Sequence, residues 1–196
     1  MFNLKFALSY FLHQLKAINR HGLHSPFVYR LVDEVIYDFS DKKVYSELEK
    51  ALQPYKKLNE ADKLLFRIIA NWQPLNVSVI SECVQADRII LNYASNKLVP
   101  GIHARQSDSN SLNTHSTVFI DAAMSNSPDN ELEQLLVNLQ EGKMLVVKNN
   151  YQHSHAHSLW QRLKAHPNVT VSVDLFWLGL IFHRPGKVKE DFLIKF

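Results

Sequence analysis

Glycine is scarce in this chain of 196 residues: there are 5, Gly22, Gly101, Gly142, Gly179 and Gly186. Even the nearest two are seven positions apart. That spacing excludes a G-x-G-x-x-G turn and a P-loop, whose backbones must pass close to phosphate or ribose with no side chain in the way. Cys83 is the only cysteine, so neither a disulfide framework nor a thiolate zinc site is available, which suits a reducing compartment. An excess of one charge is missing too. Lys and Arg number 22 against 19 Asp and Glu, a net +3. The basic residues from Lys42 to Arg67 are interleaved with Glu47, Glu49, Glu60 and Asp62, as on a solvated helix face, so no nucleic-acid partner is expected. No apolar run approaches the ~18 residues that span a bilayer. The stretch "FNLKFALSYFLHQLKAI" (2–18) lacks a basic start and a small-residue cleavage site, and Lys5, His13, Gln14 and Lys16 interrupt it. It does not read as a signal peptide. The expectation is a cytoplasmic protein with no membrane partner.

What is present is an ordinary globular balance, 46% hydrophobic and 21% charged, on a chain long enough for one core. The first seventy residues read as helix. Residues 2–18 carry apolar side chains all round. Ser25 then offers an N-cap with Pro26 at the first helical position, and Phe27, Leu31 and Val35 continue at helical period. Two further helices are expected over 44–56 and 59–71, the second with Leu64, Leu65, Ile68 and Ile69 inward. After "WQP" the period changes. "NVSVIS" (76–81), "STVFID" (116–121) and "KMLVVK" (143–148) are of strand length, and helical stretches near 85–95, 129–140 and 155–165 alternate with them, which indicates a parallel sheet with helices on its faces. The tail, "NVTVSVDLFWLGLIFHR" and "DFLIKF", holds strands without an intervening helix, hence an antiparallel hairpin closing one edge.

The stretch "KNNYQHSHAHSLW" (148–160) sets His153, His155 and His157 at alternate positions. In a helix His153 and His157 lie one turn apart and could share an ion; in an extended segment all three align. With no neighbouring carboxylate or thiol the expected reading is a solvated helix start, and no metal ligands are assigned.

"NRHGLHSPFVYRLVDEVIYD" (19–38), "KLLFRIIANWQP" (63–74), "VFIDAA" (118–123) and the closing "HPNVTVSVDLFWLGLIFHR" with "EDFLIKF" resemble small bacterial class I S-adenosylmethionine-dependent methyltransferases of the Bacteroidetes type, similar to the O-methyltransferases. The resemblance implies an α/β, Rossmann-like methyltransferase sheet with an antiparallel C-terminal hairpin (59–196), preceded by an N-terminal helical extension (1–58). It also implies site residues, and here the sequence departs from the pattern. The family's strand-end acid and E-L-G-T-x-x-G loop fall on Val79, Ser81 and Gln85; Glu82 is the nearby acid. Ser81, Glu82 and Gln85 are therefore the vestige of a cofactor loop. Between Tyr93 and Val118 there is about half the length the family uses, room for one strand near 98–105, so the sheet is shortened in its middle where the ribose-binding acid would sit. Asp121 matches an acid at a strand end that relatives use for metal or catalysis, though an aspartate there also commonly caps its own loop. Lys148 and Asn149 stand where metal-dependent relatives carry two acids, and an ammonium and an amide do not supply the anionic oxygens a hard divalent cation needs.

Arg20, His21 and His24 have two readings: a group reaching over the carboxyl edge of the sheet, with His24 able to titrate near neutrality, or a turn held by Gly22 whose histidines hydrogen-bond the backbone. The second is expected. Two functions follow. One is a degenerate methyltransferase-like protein with its cofactor site lost and no S-adenosylmethionine bound, acting by binding, as a homodimer or with an active relative. The other is an active, metal-independent methyltransferase on a small metabolite, with Asp121 or His24 as general base.

Overall fold

In the computed structural model, the residues described are 4–74, 77–79, 85–95, 117–123 and 129–196. Ser81 and Glu82, the expected strand near 98–105 and the shortened middle lie outside them. Helices α1 (Leu4–Lys16), α2 (Pro26–Leu31), α3 (Lys43–Leu52) and α4 (Glu60–Trp72) precede β1 (Val77–Val79). Then follow α5 (Gln85–Ser95), β2 (Thr117–Asp121), α6 (Asp129–Val137), β3 (Met144–Lys148), α7 (Ser154–Ala165), β4 (Val171–Asp174), β5 (Leu178–Phe182) and β6 (Glu190–Leu193). The sheet is six-stranded in the order β1-β2-β3-β5-β4-β6. Strands β1, β2 and β3 are parallel, β5 runs antiparallel between β3 and β4, and β6 lies parallel to β4. This is the Rossmann-like α/β sheet with an antiparallel hairpin that the sequence led us to expect. Among the described residues no helix is long and apolar enough to cross a membrane.

Alternation within the strands builds the layers, because successive strand side chains point to opposite faces. Phe119, Met144, Val146, Leu180 and Phe182 face a core shared with Val28, Leu48, Leu64, Ile68 and Ile90 of α2 to α5. Val118, Ile120, Leu145, Val147 and Ile181 face the opposite core with Leu132, Leu136, Leu159, Trp160 and Leu163 of α6 and α7. The middle strands are covered on both sides, which explains their unbroken apolar runs. Of the helices before residue 58, α2 and α3 share the first of these cores with the sheet.

Two details explain why this packing tolerates polar sequence. After α2 the backbone continues as a π-turn over Val32–Ile36, which leaves carbonyls without helical partners. Arg67, buried in α4, donates from Nε to the Val35 carbonyl (2.9 Å) and from Nη2 to that of Ile36 (3.0 Å). Asp62 is also buried; it closes a capping box with Asn59 and pairs with Lys56 at 2.6 Å. The expectation of a wholly solvated charged face over 42–67 is thus corrected at these residues. Ser25 does occupy the N-cap of α2 but makes no side-chain cap bond.

Gly179 marks a close approach. A Cβ there would lie 2.5 Å from the Trp160 ring and 2.6 Å from the Asn150 amide. Trp160 and Asn150 are both fully buried. With its amide oriented to satisfy its neighbours, Asn150 bridges the Val147 carbonyl (2.9 Å) and the Gly179 N–H (3.0 Å). Gly179→Ala is therefore expected to cost about 2–3 kcal/mol by overpacking, read as a lower urea midpoint at unchanged slope.

Candidate functional site

The strand register sorts the conspicuous polar residues to one end of the sheet. Asp121 pairs with Lys148, Lys148 with Leu178, and Asp174 with Gly179 and Leu193, so Asp121, Lys148 and Asp174 all stand at the carboxyl ends of parallel strands. Ligands of open α/β sheets bind outside this edge, and it is the candidate site.

Asp121 is buried, and its carboxylate accepts from the Asn149 amide at 3.0 and 2.9 Å and from the Ala123 N–H at 3.0 Å. Asn149 can aim there because its backbone is left-handed, φ 60°, a conformation that asparagine adopts more readily than most residues. Beside this pair the Lys148 ammonium donates to Asp87 Oδ1 on the first turn of α5. Asp87 is 1% exposed, and among the described residues its Oδ2 has no hydrogen-bond partner. Burial pushes its carboxyl above the usual range, and the Lys148 charge and hydrogen bond pull against that shift. Asp121 adds a second negative charge that raises it further. The edge thus carries an internal cation, the Lys148 ammonium, paired with Asp87 beside the Asn149–Asp121 pair.

A second network closes the β4–β5 end. Asp174 is 1% exposed. Its Oδ2 accepts from Trp160 Nε1 (2.7 Å) and the Tyr151 hydroxyl (2.8 Å), its Oδ1 from the Phe176 N–H (3.0 Å), and His13 Nε2 lies 3.4 Å from Oδ1 and 3.3 Å from the Asp174 carbonyl. Burial raises this carboxyl, but the donors, His13 and Tyr151 foremost, outweigh it and hold it below the ordinary carboxylate range. Burial, reinforced by the Asp174 charge, pushes the Tyr151 phenol far above its usual range, so Tyr151 serves as a donor and not as a base. Phe176, buried at φ 68°, is costly for an aromatic residue. It is wedged among Phe6, Tyr10, His13, Tyr151 and Trp177 at centroid distances of 4.6–5.5 Å.

Among the described residues, the structure sets His24 apart from Asp121. Gln85 is exposed at the start of α5. His24 lies beside Val171, Arg184 and Glu190, lining a cavity with them. That is the amino end of β4 and β6, a full strand length from Asp121, and His24 does not reach over the carboxyl edge. The Arg20 element is a turn: the Asn19 side chain accepts from the His21 N–H (3.0 Å), Arg20 pairs with Asp33 (2.7 Å), and a Cβ on Gly22 would meet Ile18 at 3.3 Å. His153 caps α7, Nδ1 accepting from the Ala156 N–H (3.2 Å), and Nε2 lies 3.2 Å from the Ala123 carbonyl. Both its ring nitrogens are engaged in holding the helix start beside the Asp121 loop. His157 instead packs on Tyr151, with centroids 4.9 Å apart. Among the described residues no cluster of His, Cys, Asp and Glu could hold a metal ion.

No family model and no curated protein matches the chain. Among solved structures it is similar to an SAH-bound methyltransferase of Podospora anserina, with a TM-score of 0.48 and 8% sequence identity over 83% of this chain and 97% of that one. Likeness of that degree carries over neither activity nor ligand, and the fold stands on the strand order given above.

Proposed function

We propose that this chain is a degenerate methyltransferase-like protein that keeps the sheet, has given up the cofactor and metal chemistry of its carboxyl edge, and acts by binding. The observation that supports this most is the Lys148–Asp87 pair beside the Asn149–Asp121 pair. A hard metal needs anionic oxygens converging on open space, whereas here the acids converge on an ammonium and an amide of the same chain. Asp121 as a general base would need an oxygen free to take a substrate proton, and its oxygens already accept from Asn149 and Ala123. Gln85, which replaces a family glycine, supports the same reading from the cofactor side.

S-adenosylmethionine and S-adenosylhomocysteine are the ligands to test. Any ligand that binds only the folded state raises the melting temperature by mass action. The expected result is no shift with either at millimolar concentration, and no heat by calorimetry. Micromolar binding of either would overturn the proposal in favour of an active, metal-independent methyltransferase.

A further inference from the structure

Among the described residues, one face of α1 has no partner. Phe6, Tyr10 and His13 lie on the side that packs against Phe176 and Trp177, and Ala17, just beyond the helix, is buried. On the opposite side Leu4, Leu8, Phe11, Leu12 and Leu15 are 74, 55, 59, 43 and 65% exposed. Leu4, Leu8, Phe11 and Leu15 recur at alternating steps of four and three, the seam of a coiled coil, and Leu12 flanks it. We propose that this face pairs with the same face of a second copy of the chain.

Spacing, area and charge each favour that occupant. About a two-fold axis an antiparallel pair sets Leu4 against Leu15 and Leu8 against Phe11, the same two layers on either side of the axis, as an isologous interface requires. The helix dipoles then oppose one another. Covering the exposed apolar residues removes roughly 500 Å² per copy, or roughly 1,000 Å² for the pair, which reaches the lower bound for a specific interface. A bilayer surface fits less well, because interfacial helices carry Lys and Arg along their polar face. Here that face is docked on the protein, and Lys5 and Lys16 are the only Lys or Arg of the helix. The pairing deepens the binding function proposed above and rests on it for its role. Its failure would show as a monomer, whereas failure of that function would show as cofactor binding.

Light scattering on the eluting full chain is expected to give twice 22.7 kDa at tens of micromolar. Leu8→Glu and Phe11→Glu, substitutions at exposed positions, are expected to weaken the dimer by about a hundredfold or more, because each places a charge in the seam twice, and to leave circular dichroism and melting of the monomer intact. A wild-type monomer would overturn the proposal, as would a dimer that survives both substitutions. A monomeric wild type that sediments with phosphatidylglycerol vesicles would overturn it in favour of a membrane surface.

Discussion

Asp174→Ala is expected to destabilise the protein by about 4 kcal/mol, the scale for removing one member of a buried, hydrogen-bonded charge network. The carboxylate is the common acceptor of Trp160 Nε1, the Tyr151 hydroxyl and the Phe176 N–H, with His13 alongside. Truncation leaves these donors facing a buried cavity without their common acceptor. It also removes the bond that holds Phe176 in its left-handed backbone, and with it the seat of α1. The isosteric Asp174→Asn isolates the charge. A carboxyl held below its unfolded value contributes stability that is complete above the unfolded pKa, about 3.9, and is lost as pH falls through the lower folded value. The gap between wild type and Asp174→Asn should therefore be widest at neutral pH and narrow below about pH 4. Urea melts across that range check it, and a gap independent of pH would mean that Asp174 is not ionised in the fold.

The elements were legible in the sequence where burial is simple. β2 and β3 are covered on both faces and read as unbroken apolar runs; α4 shows its inward leucines and isoleucines at helical period; the tail without a helix became the β4–β5 hairpin and β6. Local punctuation also carried through, with Pro26 opening α2 and the Gly22 turn. What pattern does not encode is pairing across long separations. Lys148 meets Asp87, 61 positions away, and His13 meets Asp174, 161 away; an acid or histidine inside a helical repeat looks solvated until the fold selects its partner. Arg67 misleads for the same reason, since its acceptors are carbonyls freed by a π-turn. His13, which looked like the break in an apolar helix, is its most buried residue, and the leucines around it face outward. The one available signal was at Lys148: a lysine ending a buried strand requires an acid nearby, though only the register says which one.

That requirement makes the Lys148–Asp87 pair separable by substitution. Lys148→Met removes the cation and leaves Asp87, 1% exposed, with a buried charge that has lost its hydrogen-bonded counter-ion and keeps only the more distant Lys56. The expected loss is about 3–5 kcal/mol at neutral pH. Asp87 is already raised by burial, and without Lys148 only the smaller pull of Lys56 opposes that shift. Its folded pKa then lies further above the unfolded value, so protonation favours the folded state. Stability of Lys148→Met should rise as pH falls from neutrality toward the unfolded pKa, opposite in sign to the Asp174 contribution. Asp87→Leu alone should cost less, because the Lys148 side chain is 16% exposed and its ammonium can turn to water. The double variant Lys148→Met/Asp87→Leu should regain most of the loss, since apolar groups of similar volume often replace a buried ion pair at no net cost. Urea melts of the four proteins close the cycle. If the double variant falls as far as the sum of the single ones, the pair is not an internally neutralised unit, and the carboxyl edge must be holding those charges for a ligand instead.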